Sequence, residues 1–187
     1  MKLENWYPKE NGKHVIEINI SMFEQLYDKR DPNPYRRKDL DDDIVEYLTS
    51  SYFEIGGKNL SKIKIYHQDD LNKEDEHDII NAIHEYFKYR TNLTQFKIDE
   101  ILKTGMISLG IGLIFLSITI ISSKHLKLSD QIINSFLKEL LLLIGWVSMW
   151  KPINIFLYEW WPFLRNKKMF LDLSYIPISV ERKMLEE

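Results

Sequence analysis

Two apolar segments in the second half of the chain dominate its hydrophobic pattern. Met106–Ser123 contains 18 residues without a charge, and Ile132–Trp150 contains 19 residues whose only charges are Lys138 and Glu139. A membrane-spanning helix needs about 20 mostly apolar residues. The pattern therefore predicts two spans joined by a short polar loop over residues 124–130. The alternative, a core helix of a soluble protein, is less favoured because such a helix in a small chain is rarely apolar on every side.

The basic residues near the ends of these spans predict their orientation, because cytoplasmic flanks carry an excess of Lys and Arg. The loop between the spans carries only Lys124 and Lys127, whereas each outer flank carries four basic residues. Both termini are therefore expected in the cytoplasm, in a multi-pass protein of the plasma (inner) membrane. The flanking residues are Lys88, Arg90, Lys97 and Lys103 before the first span and Lys151, Arg165, Lys167 and Lys168 after the second.

Apolar and polar residues alternate in three short segments, with the period of a half-buried β-strand. These segments are His14–Ile20, Lys62–His67 and Tyr175–Glu181. Pro177 lacks the backbone donor that a central strand needs, so the third strand is expected at a sheet edge. This C-terminal strand would return past the two spans and complete a sheet with the first two strands.

Helices are predicted between and after the first two strands. One starts near Asp39–Asp41, runs to about Phe53 and stops at Gly56 and Gly57. Another starts in the acidic segment Asp70–Asp78, where negative charge favours a helix N-terminus. Because no proline interrupts it, this helix is expected to continue from the cytoplasm into the first span.

The predicted fold class is an α+β membrane protein. A small cytoplasmic domain of about three strands and helices, closed by the C-terminal strand, carries a two-helix transmembrane hairpin. The cytoplasmic domain, with the helix that leads into the membrane, is expected over residues 1–104 and the hairpin over 105–150. An interfacial amphipathic helix and the returning strand are expected over 151–187.

Composition narrows the range of functions. The chain has 25 basic and 28 acidic residues, a net charge of −3, and thus no basic field of the kind that binds nucleic acid. It has no cysteine, which excludes disulfides, thiolate metal sites and cysteine nucleophiles. No phosphate-loop, dinucleotide, zinc or nucleophile-elbow motif is present. We therefore expect a non-enzymatic protein with no cofactor, no metal and no catalytic residue.

The charged segment Arg36–Asp43 has two interpretations. Its carboxylates, at Asp39 and at 41–43, could hold a divalent cation, since magnesium prefers carboxylate oxygens, and a metal-dependent membrane enzyme would follow. The favoured interpretation is a helix start, in which Asp39 or Asp41 caps the helix and the other acids meet its dipole.

The two charges within the second span require an explanation, because charge is costly inside a bilayer. Lys138 can extend its ammonium group toward the outer interface. Glu139 is expected to face Ser117 or Thr119 of the antiparallel first span as a structural polar contact. The alternative is an ion or proton relay in a small oligomeric transport or channel-like assembly.

Small residues recur every four positions at the start of the first span, at Thr104, Ser108 and Gly112. Such a ladder lets two helices approach closely, and the partner would be the second span or another copy of the chain. The alternative is the ordinary composition of membrane helices, in which glycine is common.

An amphipathic helix is predicted after the second span. The apolar residues between Ile153 and Leu164 fall at offsets 0, 3, 4, 7, 8 and 11, which is one stripe of a helix, and Pro162 is expected to end or bend it. This aromatic and basic segment is expected to lie at the membrane interface and to meet anionic lipid, or alternatively to pack on the soluble domain. The predicted interface residues are Trp146, Trp150, Tyr158, Trp160, Trp161, Arg165, Lys167 and Lys168.

Part of the sequence resembles an uncharacterised family of small prokaryotic two-span membrane proteins. The resemblance is carried by Gly145–Pro152 (GWVSMWKP) and Ile155–Pro162 (IFLYEWWP), which are similar to a GWVxMWxPxxIFLYxWWP-like segment of that family. Asp31–Tyr35 and Asp39–Asp41 are similar to its soluble part. The resemblance covers most of the chain, and it implies the two-span topology without implying an activity or a catalytic residue.

These observations predict a non-enzymatic integral membrane anchor, scaffold or accessory subunit that self-associates. Its expected partners are the lipid bilayer, including anionic lipid, and a second copy of the chain or another membrane protein, but no nucleic acid. The transport assembly that uses Glu139 and the metal-dependent enzyme that uses residues 39–43 remain the alternatives.

Overall fold

The computed structural model describes residues 6–32, 39–68, 72–127 and 129–182. It is an α+β structure with a four-stranded sheet and two long apolar helical segments, which confirms the predicted class at this level. The chain divides into two compact units. The first comprises the residues up to Leu93 and from Asn166 onward, and the second comprises Thr94–Arg165.

The sheet contains β1 (Lys9–Glu10), β2 (Lys13–Asn19), β3 (Leu60–His67) and β4 (Ile178–Arg182) in that spatial order. Strands β2, β3 and β4 are parallel, whereas β1 is antiparallel to β2. The three strands predicted from alternation are confirmed. Strand β4 begins after Pro177 and lies at an edge, as predicted, and the Pro177 carbonyl accepts a hydrogen bond from the Ile63 N–H at 3.0 Å.

The alternation pattern does not reveal β1, because this strand has only two residues. The signal for it is the turn at Asn11 and Gly12, whose φ angles are both positive, 51° and 81°. A two-residue Asn-Gly loop between strands is a strong hairpin signal. The turn brings Lys9 opposite His14 in the antiparallel pair.

Helix α1 (Asp42–Ile55) begins and ends where the sequence predicts. The Asp41 carboxylate is the N-cap and accepts a hydrogen bond from the Asp43 backbone N–H at 3.0 Å. Gly56 ends the helix with a φ angle of 76°, which a residue without a Cβ adopts at no steric cost. The helix-start interpretation of the acidic segment is therefore confirmed, although Arg36–Lys38 lie outside the described residues.

A single helix, α2 (Lys73–His125), runs for 53 residues, as the absence of proline predicts. After a polar break, α3 (Gln131–Ser148) and the short α4 (Trp150–Asn154) lead into a π-helical turn at Ile155–Glu159. Helix α5 (Trp161–Leu173) then leads back to the sheet.

Pro162 does not end the helix that contains it. It is the second residue of α5, in a first turn where the backbone N–H has no helical partner, so proline is tolerated there. The irregularity in this segment instead precedes the proline, at the π-helical turn Ile155–Glu159.

The core of the first unit joins the sheet to α1, the N-terminal part of α2 and the C-terminal part of α5. Ile63 and Ile65 of β3 are buried and alternate with more exposed residues, whereas in β2 Val15 is buried beside the buried Ile16 and Ile18. The helical residues of this core are Val45, Leu48, Tyr52, Ile55, Ile79, Ala82, Ile83, Tyr86, Phe87, Met169, Phe170 and Leu173.

Candidate functional site, the apolar helix pair and its polar cavity

The apolar segments of the second unit expose most of their side chains. Only 17% of the residues in each apolar 18-residue window are buried, and by length and composition both helices are able to cross a membrane. Ile111 and Ile114 of α2, for example, are each 64% exposed. These apolar side chains therefore form a surface of the unit and not its core.

Helix α2 approaches the later helices closely, because two of its glycines lack the side chain that would separate them. A Cβ at Gly105 would lie 2.7 Å from Ile155 Cγ2, and a Cβ at Gly112 would lie 3.1 Å from the Ser148 carbonyl oxygen. The Ser148 hydroxyl also lies 3.3 Å from the Gly112 carbonyl oxygen, which adds a polar contact across the pair. Small residues are what permit so short a separation.

A third close contact joins Thr119 to Gly145, where any Cβ would overlap the threonine hydroxyl. Positions rise along α2 from 105 through 112 to 119, while their partners fall from 155 through 148 to 145. The helices therefore run antiparallel through this contact. Gly105, Gly112 and Thr119 are seven residues apart, which is the spacing of a heptad seam.

The predicted ladder of small residues shares only one member with this seam. Gly112 is buried at the contact, whereas Ser108 is half-buried and Thr104 is exposed. Four residues overshoot one helical turn by about 40°, whereas seven residues fall short of two turns by about 20°. The seven-residue repeat of Gly105, Gly112 and Thr119 is thus the sequence signal that identifies the contact face.

The two hydroxyls expected to meet Glu139 are bonded within their own helix. The Ser117 hydroxyl donates to the Leu113 carbonyl at 2.7 Å, and the Thr119 hydroxyl donates to the Leu116 carbonyl at 2.9 Å. Such a bond to the preceding turn satisfies a hydroxyl without any partner from another helix.

Glu139 itself is exposed, and Lys138 is half-buried. Glu139 lies six residues before Gly145, a rise of about 9 Å along α3. Because Gly145 contacts Thr119 in antiparallel order, Glu139 is level with the last turn of α2. The structure therefore brings both charges to the loop end of the pair and not to the depth of the predicted hydroxyls.

The π-helical turn interrupts the regular backbone bonding between α4 and α5. The Trp160 indole N–H donates a hydrogen bond to the Phe156 carbonyl at 2.9 Å, within this irregular segment. Trp160 and Trp161 meet edge to face, with ring centroids 5.9 Å apart. Turns of this kind are frequent at functional sites.

Glu159 is the polar centre of the turn. Its Oε1 accepts hydrogen bonds from Lys151 Nζ at 3.1 Å and from Asn154 Nδ2 at 2.7 Å. The hydrogen bond from Lys151 is the main reason that the pKa of Glu159 is lowered from its usual value of 4.5, with a smaller contribution from Asn154. The side chain is therefore an anion at neutral pH.

The predicted interface residues are mostly on the surface, although the segment after Trp150 also contains the buried Pro152 and Ile155. Large aromatic rings beside basic groups at an apolar surface are typical of membrane interfaces. The exposed members are Trp146, Trp150, Tyr158, Trp161, Arg165 and Lys168, and the half-buried members are Trp160 and Lys167.

A cavity of about 440 Å³ lies between α2 and the segment that contains the π-helical turn. This volume falls within the usual range for small-ligand sites. Its wall combines one ammonium group, two carboxylates and a hydroxyl with three apolar side chains. The lining residues are Lys97, Glu100, Ile101 and Thr104 from α2 and Ile155, Glu159 and Phe163 from the later segment.

The first unit has a smaller cavity of about 290 Å³ where β2 and β3 end. Its lining is mainly amide and hydroxyl groups, from Asn19, Ile20, Ser21, Gln25, Tyr66 and Gln68. Among the residues that the structure describes, no group of three His, Cys, Asp or Glu side chains could hold a metal ion.

Two carboxylates of the acidic segment have structural partners. Asp41 caps α1, and the Asp42 carboxylate pairs with Arg30 at 3.1 Å.

The two-span resemblance of Gly145–Pro162 stays a prediction. No protein-family model, no curated protein and no solved structure matches the chain.

Proposed function

We propose that the chain is an integral membrane protein in which Met106–Ser123 and Ile132–Trp150 cross the bilayer as an antiparallel hairpin. The observation that carries this proposal is the low burial of both apolar windows, 17% in each. A core helix of a soluble protein would hide its apolar side chains. A contiguous apolar surface of this extent requires lipid or a partner to cover it.

The second unit supports the same function through its internal packing. Membrane helices gain little from apolar burial between them, so they associate through small residues that allow close contact. The seam of Gly105, Gly112 and Thr119 is such a contact. Trp150, at the end of the second apolar segment, and Trp161, after it, are both exposed and suit the headgroup region of a bilayer.

The proposed role is a non-enzymatic anchor, scaffold or accessory subunit with both termini in the cytoplasm. The sheet-containing unit is the part that meets cytoplasmic components. The hairpin fixes this unit to the inner membrane and provides a surface for a second copy of the chain or another membrane protein.

The absence of cysteine allows a direct test of insertion and orientation. Single cysteines are introduced at exposed positions, as Ser129→Cys in the loop between the spans and Lys58→Cys after α1. In intact cells a membrane-impermeant maleimide should label Ser129→Cys, whereas Lys58→Cys should react only after permeabilisation. Ile114→Cys, within the first span, should resist labelling in both conditions.

Extraction and crosslinking complete the test. The wild-type chain should stay in the membrane pellet in alkaline carbonate, and release into the supernatant would contradict the proposal. Crosslinking in native membranes should give a dimer or a complex with a partner. Monomer alone, with no protein co-purifying, would contradict the scaffold role while leaving the insertion result intact.

A further inference from the structure

The polar groups around the 440 Å³ cavity are largely uncommitted. Among the described residues, Lys97, Glu100 and Thr104 have no hydrogen-bond or ion-pair partner. Glu159 uses Oε1 for both of its bonds, which leaves Oε2 available. An ammonium group, two carboxylates and a hydroxyl therefore converge on one space without neutralising each other.

The three α2 residues share one face of that helix. Glu100 is three residues and Thr104 seven residues after Lys97, so the side chains lie one above another over two turns. Lys97 and Thr104 can both donate hydrogen bonds to an anionic oxygen. Glu100 and Glu159 can both accept hydrogen bonds from a cation. The cavity thus presents complementary charge to a ligand that carries both a positive and a negative group.

The apolar part of the wall comes from Ile101, Ile155 and Phe163. Thr104 lies two residues before the uncharged run that begins at Met106, and Ile155 follows the second span by five residues. The cavity is therefore at the level where phospholipid headgroups lie if the proposed spans are correct.

We propose that this cavity binds the headgroup of a phospholipid that carries a primary amine, such as phosphatidylethanolamine. The phosphate lies against Lys97 and Thr104, and the ammonium group donates hydrogen bonds to Glu100 and Glu159. The acyl chains leave past Ile101 and Phe163 toward the apolar surface of the spans. This site rests on the proposed membrane insertion and adds a lipid selectivity to it.

Carboxylates select a primary amine over choline for a chemical reason. A primary ammonium group has three N–H donors that fit carboxylate oxygens, whereas a quaternary ammonium group has none and is usually bound by several aromatic faces. Phe163 is the single aromatic side chain among the lining residues. The negative carboxylates also disfavour a purely anionic headgroup.

The test measures which lipid stays with the purified full-length protein. The protein is reconstituted in equimolar phosphatidylethanolamine and phosphatidylcholine, extracted in mild detergent, and its retained lipids are quantified by native mass spectrometry. The wild type should retain phosphatidylethanolamine with about a tenfold preference, the size expected from one charge-assisted hydrogen bond. Glu100→Gln and Glu159→Gln should each reduce this preference, and the double variant should abolish it.

Matched substitutions outside the cavity serve as controls. Asp99→Asn and Lys103→Gln change neighbouring exposed charges of α2 that do not line the cavity, and they should leave the preference unchanged. Glu100→Lys should reverse the selectivity toward anionic phosphatidylglycerol. Binding of phosphatidylglycerol by Glu100→Lys is a gain that misfolding cannot produce. The proposal would be overturned if Glu100→Lys did not bind phosphatidylglycerol and Glu100→Gln kept the selectivity of the wild type.

Two further measurements distinguish failure of the lipid site from failure of the proposed membrane insertion. Free phosphoethanolamine at the same concentration should not displace the lipid, and efficient displacement would assign the site to a soluble ligand and overturn the lipid assignment. Alkaline extraction on the same preparation reports insertion. Stable insertion with equal retention of both lipids overturns only this inference, whereas loss of insertion overturns the proposed function and the lipid site with it.

Discussion

Thr119 of α2 lies directly against Gly145 of α3, and no Cβ can be added at position 145 without overlapping the threonine hydroxyl. The hydroxyl is held in place by its bond to the Leu116 carbonyl at 2.9 Å. Threonine is also stiff about χ1, so it cannot easily turn away. The short separation of the two helices at this point therefore depends on the absence of a side chain at Gly145.

Gly145→Ala should destabilise the helix pair. The added methyl group forces the helices apart or displaces Thr119, and overpacking of this kind costs about 1–3 kcal/mol. Thermal unfolding in a fixed detergent, followed by tryptophan fluorescence, should show a lower midpoint.

Gly110→Ala is the matched control for this substitution. A Cβ at Gly110 meets nothing within 4 Å, so the methyl group is accommodated at the surface. The change should be neutral or should stabilise the helix by about 0.5–1 kcal/mol, because alanine has the higher helix propensity. Equal losses for Gly145→Ala and Gly110→Ala would show that position 145 is not a packing contact.

Ser148 and Glu139 are expected to differ in their contribution to the helix pair. Ser148→Ala removes a hydroxyl that lies 2.6 Å from the Gly145 carbonyl and also reaches Gly112, and it should lower stability by about 1 kcal/mol. Glu139→Gln changes an exposed group near the loop end and should alter stability by less than about 0.5 kcal/mol. A large loss of stability for Glu139→Gln, measured by the same unfolding assay, would instead support the predicted buried polar contact of Glu139.

Tyr52→Phe should destabilise the first unit. The buried Tyr52 hydroxyl donates a hydrogen bond to the Asp172 carboxylate and so joins α1 to α5. Burial, followed by this bond, raises the pKa of Tyr52, so the donor keeps its proton at neutral pH. Loss of a bond to a charged acceptor costs about 1.5–3 kcal/mol, measurable by urea unfolding. Tyr89→Phe, at a ring that is 57% exposed, should change stability by no more than about 0.5 kcal/mol.

The ion pairs of Glu10 predict an acid-dependent loss of stability. Its carboxylate lies 2.6 Å from Lys62 Nζ and 2.5 Å from Lys64 Nζ, and the hydrogen bonds from Lys62 and then Lys64 lower its pKa below 4.5. The Glu10 carboxylate binds a proton more readily in the unfolded chain than in the folded chain. Its contribution to the free energy of unfolding is therefore present above about pH 4.5 and is lost as the pH falls through the pKa of the folded state.

Glu10→Gln should therefore flatten the stability curve below about pH 5, compared with the wild type in urea titrations. Glu46→Gln, at an exposed position of α1, provides the control and should leave the acid limb of the curve unchanged. Identical curves for Glu10→Gln and the wild type would show that the lysine pairs are not maintained in solution. High salt should weaken the difference, because solvent reaches these partly exposed ion pairs and screens them.

His67→Leu should leave the first unit unchanged or stabilise it. His67 is only 2% exposed, and neither ring nitrogen has a hydrogen-bond partner among the described residues. An unsatisfied buried polar group costs about 1–3 kcal/mol, which an apolar side chain of similar size avoids. His77→Leu, at an exposed position, is the control, and a clear loss of stability for His67→Leu alone would reveal a polar role for this ring.

Local signals in the sequence were sufficient for most elements of the first unit. The alternation of Ile16 and Ile18, like that of Ile63 and Ile65, identifies the strands because their side chains repeat with period two. Asp41 and Gly56 identify the ends of α1 because a cap and a positive φ angle are properties of single residues. The two-residue strand β1 is too short for such a pattern, and only its Asn-Gly turn indicates it.

The sequence by itself also determined the two apolar runs, the continuous helix α2 and the position of the charges around them. These features follow from residue type and spacing along one segment. The tertiary structure decided which small residues meet. It selected Gly105, Gly112 and Thr119 over Thr104 and Ser108, because contact depends on the angular position of a partner helix that the sequence of one helix does not specify.

The tertiary structure also decided the position of Glu139 and the existence of the polar cavity. The antiparallel register moves Glu139 to the loop end, and the π-helical turn brings Glu159 toward Lys97 and Glu100, about 60 residues away in sequence. Side chains so distant along the chain carry no local signal of their proximity. Only the packing of the helices places their charges around a common space.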